Sequence, residues 1–143
     1  MQLSNEVKVT RCTTQQEAGT ADQSGSSIDM QGYDGVMFIT TFGTANDGNY
    51  IKAQQDENDA TGFGDAEDLA GTKTVSTGAN NTVVLDVYRP LKRYIRAVGV
   101  ITASSTIGPI FALQYKGRAK PEANETDDVI ASKTVISPDA GTA

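Results

Sequence analysis

The acidic stretch from Asp56 to Glu67 has the residue types that bind a divalent cation. It begins with an aspartate and has a glutamate at the twelfth place, as in an EF-hand calcium loop. The fifth place is Ala60 and the sixth is Thr61, where such a loop needs an oxygen ligand and a glycine. Its flanks alternate like strands, whereas an EF-hand loop joins two helices. These departures indicate a solvated acidic loop, and we expect no bound metal and no cofactor.

The residues that enzymes use most often as bases and nucleophiles are nearly missing. The chain has no His and no Trp, and Cys12 is its only cysteine, so a His-based triad, a Cys/His zinc site and an intrachain disulfide are excluded. Cys12 ends an alternating segment, where a thiol is expected to pack in the core. Carboxylates are numerous, but nothing places two of them opposite each other as a glycosidase pair. We therefore expect a binding protein and no enzyme.

Short segments of alternating apolar and polar residues recur along the chain, separated by turns rich in Gly, Asn and Asp. Segments of this kind predict strands. The predicted strands are residues 7–12, 27–30, 36–42, 50–55, 72–76, 82–88, 93–101 and 110–115. Because no segment has the pattern of a long amphipathic helix, the sequence predicts an all-β fold, an antiparallel two-sheet sandwich or jelly roll. A small closed barrel is the alternative, since strand count does not separate the two.

Two of these strands carry apolar residues at every second position, which is typical of strands with one buried face. The predicted buried sets are Val83, Leu85 and Val87 in one strand and Phe111, Leu113 and Tyr115 in the other.

The alternation ends near Gly117. We therefore predict a β-sandwich domain over residues 1–116 and an extended C-terminal arm over residues 117–143. The arm is polar except for two apolar pairs, which are candidate anchors for binding another protein: Val129, Ile130, Val135 and Ile136. The alternative is an arm that wraps back over its own domain, as chain termini often do.

Charge is distributed unevenly. The formal net charge is -6, yet seven basic residues and no acidic ones lie between Tyr88 and Lys120. Within this region Arg89, Arg93 and Arg96 are candidate protein-binding residues. Direct nucleic-acid binding is disfavoured because the chain as a whole repels a polyanion. A basic region on an acidic chain fits the acidic surface of a partner or of a second copy.

Four stretches together resemble the cement or decoration proteins of tailed-bacteriophage heads. They are residues 3–9 (LSNEVKV), 29–36 (DMQGYDGV), 85–96 (LDVYRPLKRYIR) and 137–143 (SPDAGTA). The resemblance implies a jelly-roll-like subunit on the outside of the capsid, commonly a homodimer, that bridges neighbouring major capsid proteins. It implies a virion protein made in the host cytoplasm. The sequence agrees, because its start lacks the pattern of a signal peptide and no apolar stretch is long enough to span a membrane.

Two other functions fit the same composition. One is a β-sandwich that binds carbohydrate or a receptor, for which Tyr33, Tyr50 and Phe63 near turns are the candidate contact residues. The other is a tail or connector component of the same particle.

Overall fold

A computed structural model describes residues 2–44, 48–58, 62–118, 124, 129–131 and 133. Within these ranges the chain forms two antiparallel β-sheets and one short helix, α1 (Leu3–Glu6). The all-β two-sheet sandwich predicted from the alternating segments is confirmed, and the closed barrel is not the architecture.

Six strands of the described residues form the first sheet. They are β1 (Val7–Arg11), β2 (Gln16–Gly19), β5 (Gly35–Phe42), β9 (Asn81–Tyr88), β11 (Ser105–Ile107) and β12 (Phe111–Tyr115). The central strand, β5, pairs with β9 on one edge and with β12 and β11 on the other. β1 pairs with β12 and β2 pairs with β11, so β1 and β2 form the outermost row.

The second sheet also contains six strands of the described residues. They are β3 (Gln23–Ser24), β4 (Ile28–Asp29), β6 (Tyr50–Asp56), β7 (Glu67–Asp68), β8 (Thr74–Val75) and β10 (Tyr94–Val100). β10 pairs with β6 along its whole length, and β3 and β4 share the other edge of β10. β7 and β8 share the free edge of β6.

Short strands that lie end to end count as one row. Consecutive rows then lie in alternate sheets, except that β6 and the row of β7 and β8 are paired in the second sheet. Numbered in chain order, the described rows run 1-8-3-6 in the first sheet and 2-7-4-5 in the second. This is the strand order of a jelly roll, which consists of two Greek keys. The other rows that follow one another in the sequence lie in opposite sheets, with the core between them.

The core is formed by the inward faces of the long strands. β5 contributes Val36, Phe38 and Phe42, each fully buried, and β6 and β10 contribute Ile51 and Ile95 from the opposite sheet. Alternate residues point to opposite faces of a strand, so Met37 and Ile39 of the same β5 point outward and are only half-buried. The Cys12 thiol is buried in this core, as expected for a packed cysteine.

The two strands with predicted buried sets differ. In β9 the inward side chains are Val83, Leu85 and Val87, as predicted. In β12 the prediction is wrong, because the buried residues are Ala112 and Gln114. The Gln114 side chain is accommodated since its Nε2 donates to the Asp29 carbonyl oxygen at 2.8 Å. The larger residues Phe111, Leu113 and Tyr115 consequently lie on the outer face of the first sheet.

Candidate protein-binding surface

The outer face of the first sheet carries an unusual number of apolar side chains. We call it the first-sheet face and define it by outward residues of four adjacent rows: Val9, Met37, Ile39, Val84, Phe111 and Leu113. Pairing places Val84 opposite Ile39, Ile39 opposite Phe111, and Leu113 between Met37 and Val9. The apolar side chains therefore adjoin across the sheet, and Val84 at the β9 edge is 48% exposed. The outer face of an antiparallel sheet is normally polar.

At one end of the first-sheet face, which we call its closed end, a tyrosine ring packs directly against the backbone of a glycine. The Tyr115 ring lies over Gly35, where any Cβ would overlap it. The Tyr115 hydroxyl reaches the next strand and donates to Asp86 Oδ1 at 2.7 Å. Burial, followed by this hydrogen bond, raises the pKa of Tyr115 to about 12. Gly35 is thus required by the close approach of the ring to the backbone.

The opposite edge, along β1, is partly covered by the C-terminal arm. A groove of about 320 Å³ is lined by Leu3, Ser4, Val7, Val9, Leu113, Asn124, Ile130 and Ala131. The Val9 amide donates to Asn124 Oδ1 at 2.8 Å, so the arm also satisfies a backbone group at the edge of β1. The described part of the arm therefore contacts its own domain, which is the packing that the alternative for the arm predicted.

The same closed end of this face, where Tyr88 pairs with Gly35, leads into a cluster that we call the basic corner: Tyr88, Arg89, Leu91 and Lys116. Tyr88 ends β9 and is 51% exposed, and Leu91 in the following loop is 92% exposed. The Arg89 guanidinium and the Lys116 ammonium both lie over the Tyr88 ring, at 5.2 Å and 5.1 Å from its centroid. Two cations therefore form cation–π contacts with one half-exposed ring.

The backbone of the basic corner is bound to one turn. The Arg89 amide donates to the Asp34 carbonyl oxygen at 2.7 Å, and the Asp34 amide donates to the Tyr115 carbonyl oxygen at 3.3 Å. Arg89 and Lys116 both have left-handed backbone conformations, with φ of 52° and 53°. Pro90 does not account for the first, because a proline favours an extended conformation with negative φ in the residue before it. Both cations are therefore held in fixed backbone positions.

Beside the basic corner lies an open depression of about 550 Å³, whose lining includes Arg89, Leu91, Lys92, Arg93 and Arg118 together with Asp34. Arg93 already forms an ion pair within the chain, since its Nε and Nη2 donate to the two Asp29 carboxylate oxygens at 2.9 Å and 2.7 Å. This hydrogen bonding lowers the pKa of Asp29 and raises that of Arg93. Lys92 forms an ion pair with Glu67 at 3.0 Å, and hydrogen bonding to Glu67 raises the pKa of Lys92.

The outer face of the second sheet is polar and paired. Arg96 Nε donates to Gln54 Oε1 at 2.9 Å, and the Arg96 guanidinium lies 4.6 Å from the centroid of the buried Phe63 ring. Gln54 and Lys52 both donate to the Asp68 carboxylate, at 2.8 Å and 2.6 Å. The hydrogen bond from Lys52 is the main cause of a lowered pKa at Asp68. These side chains satisfy one another without a partner protein.

The predicted binding residues therefore fall in different places. Arg89 and Arg93 line the same depression, whereas Arg96 lies on the outer face of the second sheet in contacts with its own chain. Ile130 lies in the groove along β1 and Val129 is half-buried in a turn. Val135 and Ile136 lie outside the described residues. Binding of another protein by any of these residues stays a prediction.

Sequence reasoning missed the first-sheet face. Its signal is present in β12, where Phe, Leu and Tyr alternate with Ala and Gln. Alternation alone does not tell which of the two faces is buried, and the more apolar set was assigned to the core.

The aromatic residues considered for carbohydrate binding make contacts within the chain. Tyr33 packs against the core, Phe63 is buried beneath Arg96, and Lys73 lies 4.4 Å from the centroid of the Tyr50 ring. Tyr33 also lines the open depression beside the basic corner. Carbohydrate binding by these residues stays a prediction.

In the part of the chain that the structure describes, no three acidic or Cys side chains are grouped as metal ligands. The described residues also contain no helix with the length and apolar character of a membrane span. Part of the acidic loop considered above, residues 59–61, lies outside the described ranges.

Comparison with known proteins does not identify a family. No protein-family model matches the chain, and no curated protein matches it.

Proposed function

We propose that the chain is a structural protein of a virus particle, a cement or decoration protein of a tailed-bacteriophage head. It binds the outer surface of the capsid, bridges neighbouring major capsid proteins, and acts as a homo-oligomer, with a dimer as the simplest form. It works by binding and carries out no catalytic step. The proposal joins the resemblance in four stretches of the sequence to the surface of the fold.

The observation that carries the proposal is the first-sheet face with the basic corner at its end. Protein interfaces typically combine an apolar centre with a polar rim and are enriched in Tyr and Arg. Here Ile39 and Phe111 adjoin on the two central strands, Val84 lies beside them at the β9 edge, and Tyr88 with Arg89 lies at the rim. Of the six side chains that define this face, Val84 is exposed and the other five are half-buried. Apolar side chains that adjoin at the surface of a folded domain are a frequent mark of such a site. The jelly roll itself does not decide the function, because the same architecture has many uses.

A capsid gives a modest interface of this kind a large effect. Each copy that bridges two capsid subunits holds them together, and a second contact forms at high effective concentration once the first has formed. The apolar pairs of the C-terminal arm, Val129 with Ile130 and Val135 with Ile136, are proposed as additional anchors. The cations of the basic corner provide orientation and partner selection more than affinity.

Quantifying the chain in purified particles tests the proposal. Calibrated mass spectrometry of particles from the virus that encodes the chain should give a copy number comparable with that of the major capsid protein. A few copies per particle would instead indicate a tail or connector component. Absence of the chain from purified particles would contradict a structural role of either kind.

A further inference from the structure

We infer that the basic corner binds a carboxylate-rich segment of a partner protein, with Arg89 and Lys116 as the residues that contact the carboxylates. The inference rests on the proposed function, since it takes this end of the molecule as part of the surface that meets a partner, and it adds the chemistry of the segment bound. Its starting point is that two cations, which follow two different strands, lie over the ring of one tyrosine, Tyr88.

The backbone conformation at these two positions favours glycine, so the needs of folding alone do not explain why cationic residues occupy them. Glycine is the residue that adopts a left-handed conformation most easily, and Gly32, Gly62 and Gly71 occupy other such positions in this chain. Arg89 and Lys116 adopt it with long side chains. A glycine would serve the turn equally well and would avoid the steric strain of a Cβ. Strained non-glycine residues that cluster at a surface point to a role for their side chains.

The charges of the basic corner are incompletely neutralised. Among the described residues, neither Arg89 nor Lys116 has a carboxylate within ion-pair distance, whereas Arg93 and Lys92 nearby do. Two like charges over one ring repel each other, and an anion placed between them removes that repulsion. Asp34 also lines the adjacent depression, but the cationic side chains there outnumber this one carboxylate. The site therefore has capacity for carboxylates supplied from outside.

The surroundings favour a peptide over a nucleic acid. Leu91, 92% exposed, and Pro90 lie beside the cations and offer apolar contact to a neighbouring side chain. A net charge of -6 opposes the approach of a long polyanion, but affects a short acidic segment less. Hydrogen bonds from the Asp34 turn hold the site in place before binding, which reduces the entropy lost when a ligand binds.

A nuclear magnetic resonance titration tests the inference on the isolated full chain. The probe is an acetylated hexapeptide of sequence Asp-Glu-Leu-Asp-Glu-Leu, compared with Asn-Gln-Leu-Asn-Gln-Leu at the same low ionic strength. We expect the acidic peptide to shift the Tyr88, Arg89 and Lys116 signals in a saturable way, and the neutral peptide to shift none of them. Added salt should weaken binding, because both partners are exposed.

Substitution by glycine separates charge from backbone strain. The double variant Arg89→Gly with Lys116→Gly removes both cations at positions where glycine fits, and should weaken peptide binding by about tenfold or more. Asn80→Gly is the matched backbone control, since Asn80 has a φ of 55° and precedes β9, at the end of that strand opposite to Arg89. Lys73→Ala is the matched charge control, since Lys73 lies over Tyr50 instead. Both controls should bind the peptide as the wild type does.

Three results would overturn the inference. They are shifts scattered over the surface, equal peptide affinity in the double glycine variant, and tighter binding at the same residues of a single-stranded oligonucleotide of equal charge. If the glycine variant does not fold, Arg89→Gln with Lys116→Gln keeps the side-chain stems and answers the same question. The titration needs no particle, so it tests the inference separately from the proposed function. Peptide binding without particle attachment would contradict the proposed function alone, and particle attachment without peptide binding would contradict the inference alone.

Discussion

The outer faces of the two sheets differ in what their side chains contact. On the second sheet, Arg96, Gln54 and Lys52 are joined by hydrogen bonds to one another or to Asp68. On the first sheet, outward positions of the central strands β5 and β12 carry methionine, isoleucine, phenylalanine and leucine. Both faces belong to one domain and have the same strand geometry, so the difference comes from the side chains alone.

This difference indicates which face has binding capacity left. A polar face whose groups are already paired gains little from a partner, because each new hydrogen bond replaces an existing one. An apolar face gains about 25 cal/mol for each Å² that a partner removes from water. The arm already covers the β1 edge of the first-sheet face through Ile130. The β9 edge, with Val84, is the part that remains open.

The largest expected effect comes from a charge at the open edge. Val84→Glu should weaken attachment to particles assembled without the protein by about 100-fold, since a carboxylate buried in an interface without a partner costs a few kcal/mol. Val75→Glu is the matched control, because Val75 is 43% exposed and lies opposite Tyr50 on the outer face of the second sheet.

Both glutamate variants should keep the free energy of unfolding within about 0.5 kcal/mol of wild type, as is usual for exposed positions. Saturation binding to the particles measures the difference between them. Equal attachment of the two variants would mean that the first-sheet face is not the contact surface.

A methyl group on Gly35 should disturb the closed end of the first-sheet face. Gly35→Ala forces the Tyr115 ring away and breaks its hydrogen bond to Asp86, so we expect the free energy of unfolding to fall by about 1 to 3 kcal/mol. Gly78→Ala is the control, since a Cβ there meets nothing within 4 Å. Urea unfolding of both variants measures the effect, and equal stabilities would show that the ring is not held against Gly35.

Removing the arm should uncover the β1 edge and remove the proposed anchors. Deleting residues 122–143 is expected to weaken particle attachment by about tenfold, as loss of one contact of several does. The core should stay folded because its long strands lie within residues 1–116. Circular dichroism checks the fold and the particle assay checks attachment. Wild-type saturation by the truncated chain would exclude the arm from binding.

On the second sheet the expected effect is on stability alone. Arg96→Ala removes the hydrogen bond to Gln54 and uncovers Phe63, which should lower the free energy of unfolding by roughly 1 to 2 kcal/mol. Attachment to particles should stay at the wild-type level. A loss of attachment without a loss of stability would instead place Arg96 in the binding surface.

The last expected effect is confined to alkaline pH. The fold raises the pKa of Tyr115 from its usual 10 to about 12, so it favours the protonated phenol. The stability that this provides is complete below pH 10 and is lost as the pH rises from 10 to 12. In Tyr115→Phe that dependence should be absent. Urea unfolding at several pH values tests this, and parallel curves for the two proteins would contradict the assignment.

How far the sequence predicts this molecule depends on which property is considered. Every predicted segment overlaps a strand, because alternation and turn residues are local signals. β2, β3, β7 and β11 were not predicted, since strands of two to four residues carry too little pattern. Alternation identified the two faces of β12 but did not show which of them is buried. That is decided by the space between the two sheets, which Ala112 and Gln114 fill.

The candidate site shows the same limit. The basic region was found by counting charges, and Arg89 does lie at an exposed corner. Which cations are already paired could not be predicted, because Arg93 meets Asp29 and Lys92 meets Glu67 only through the pairing of distant strands. The first-sheet face depends on side chains from four rows, which adjoin only in the folded sheet.

A cryo-electron microscopy reconstruction of the particle with the protein attached tests the central claim most directly. We predict that the first-sheet face, with Val84 and Phe111, and the basic corner, with Tyr88 and Arg89, face the capsid. The paired polar face around Arg96 should point to solvent. A reconstruction in which the second sheet meets the capsid and Val84 is in solvent would contradict this account.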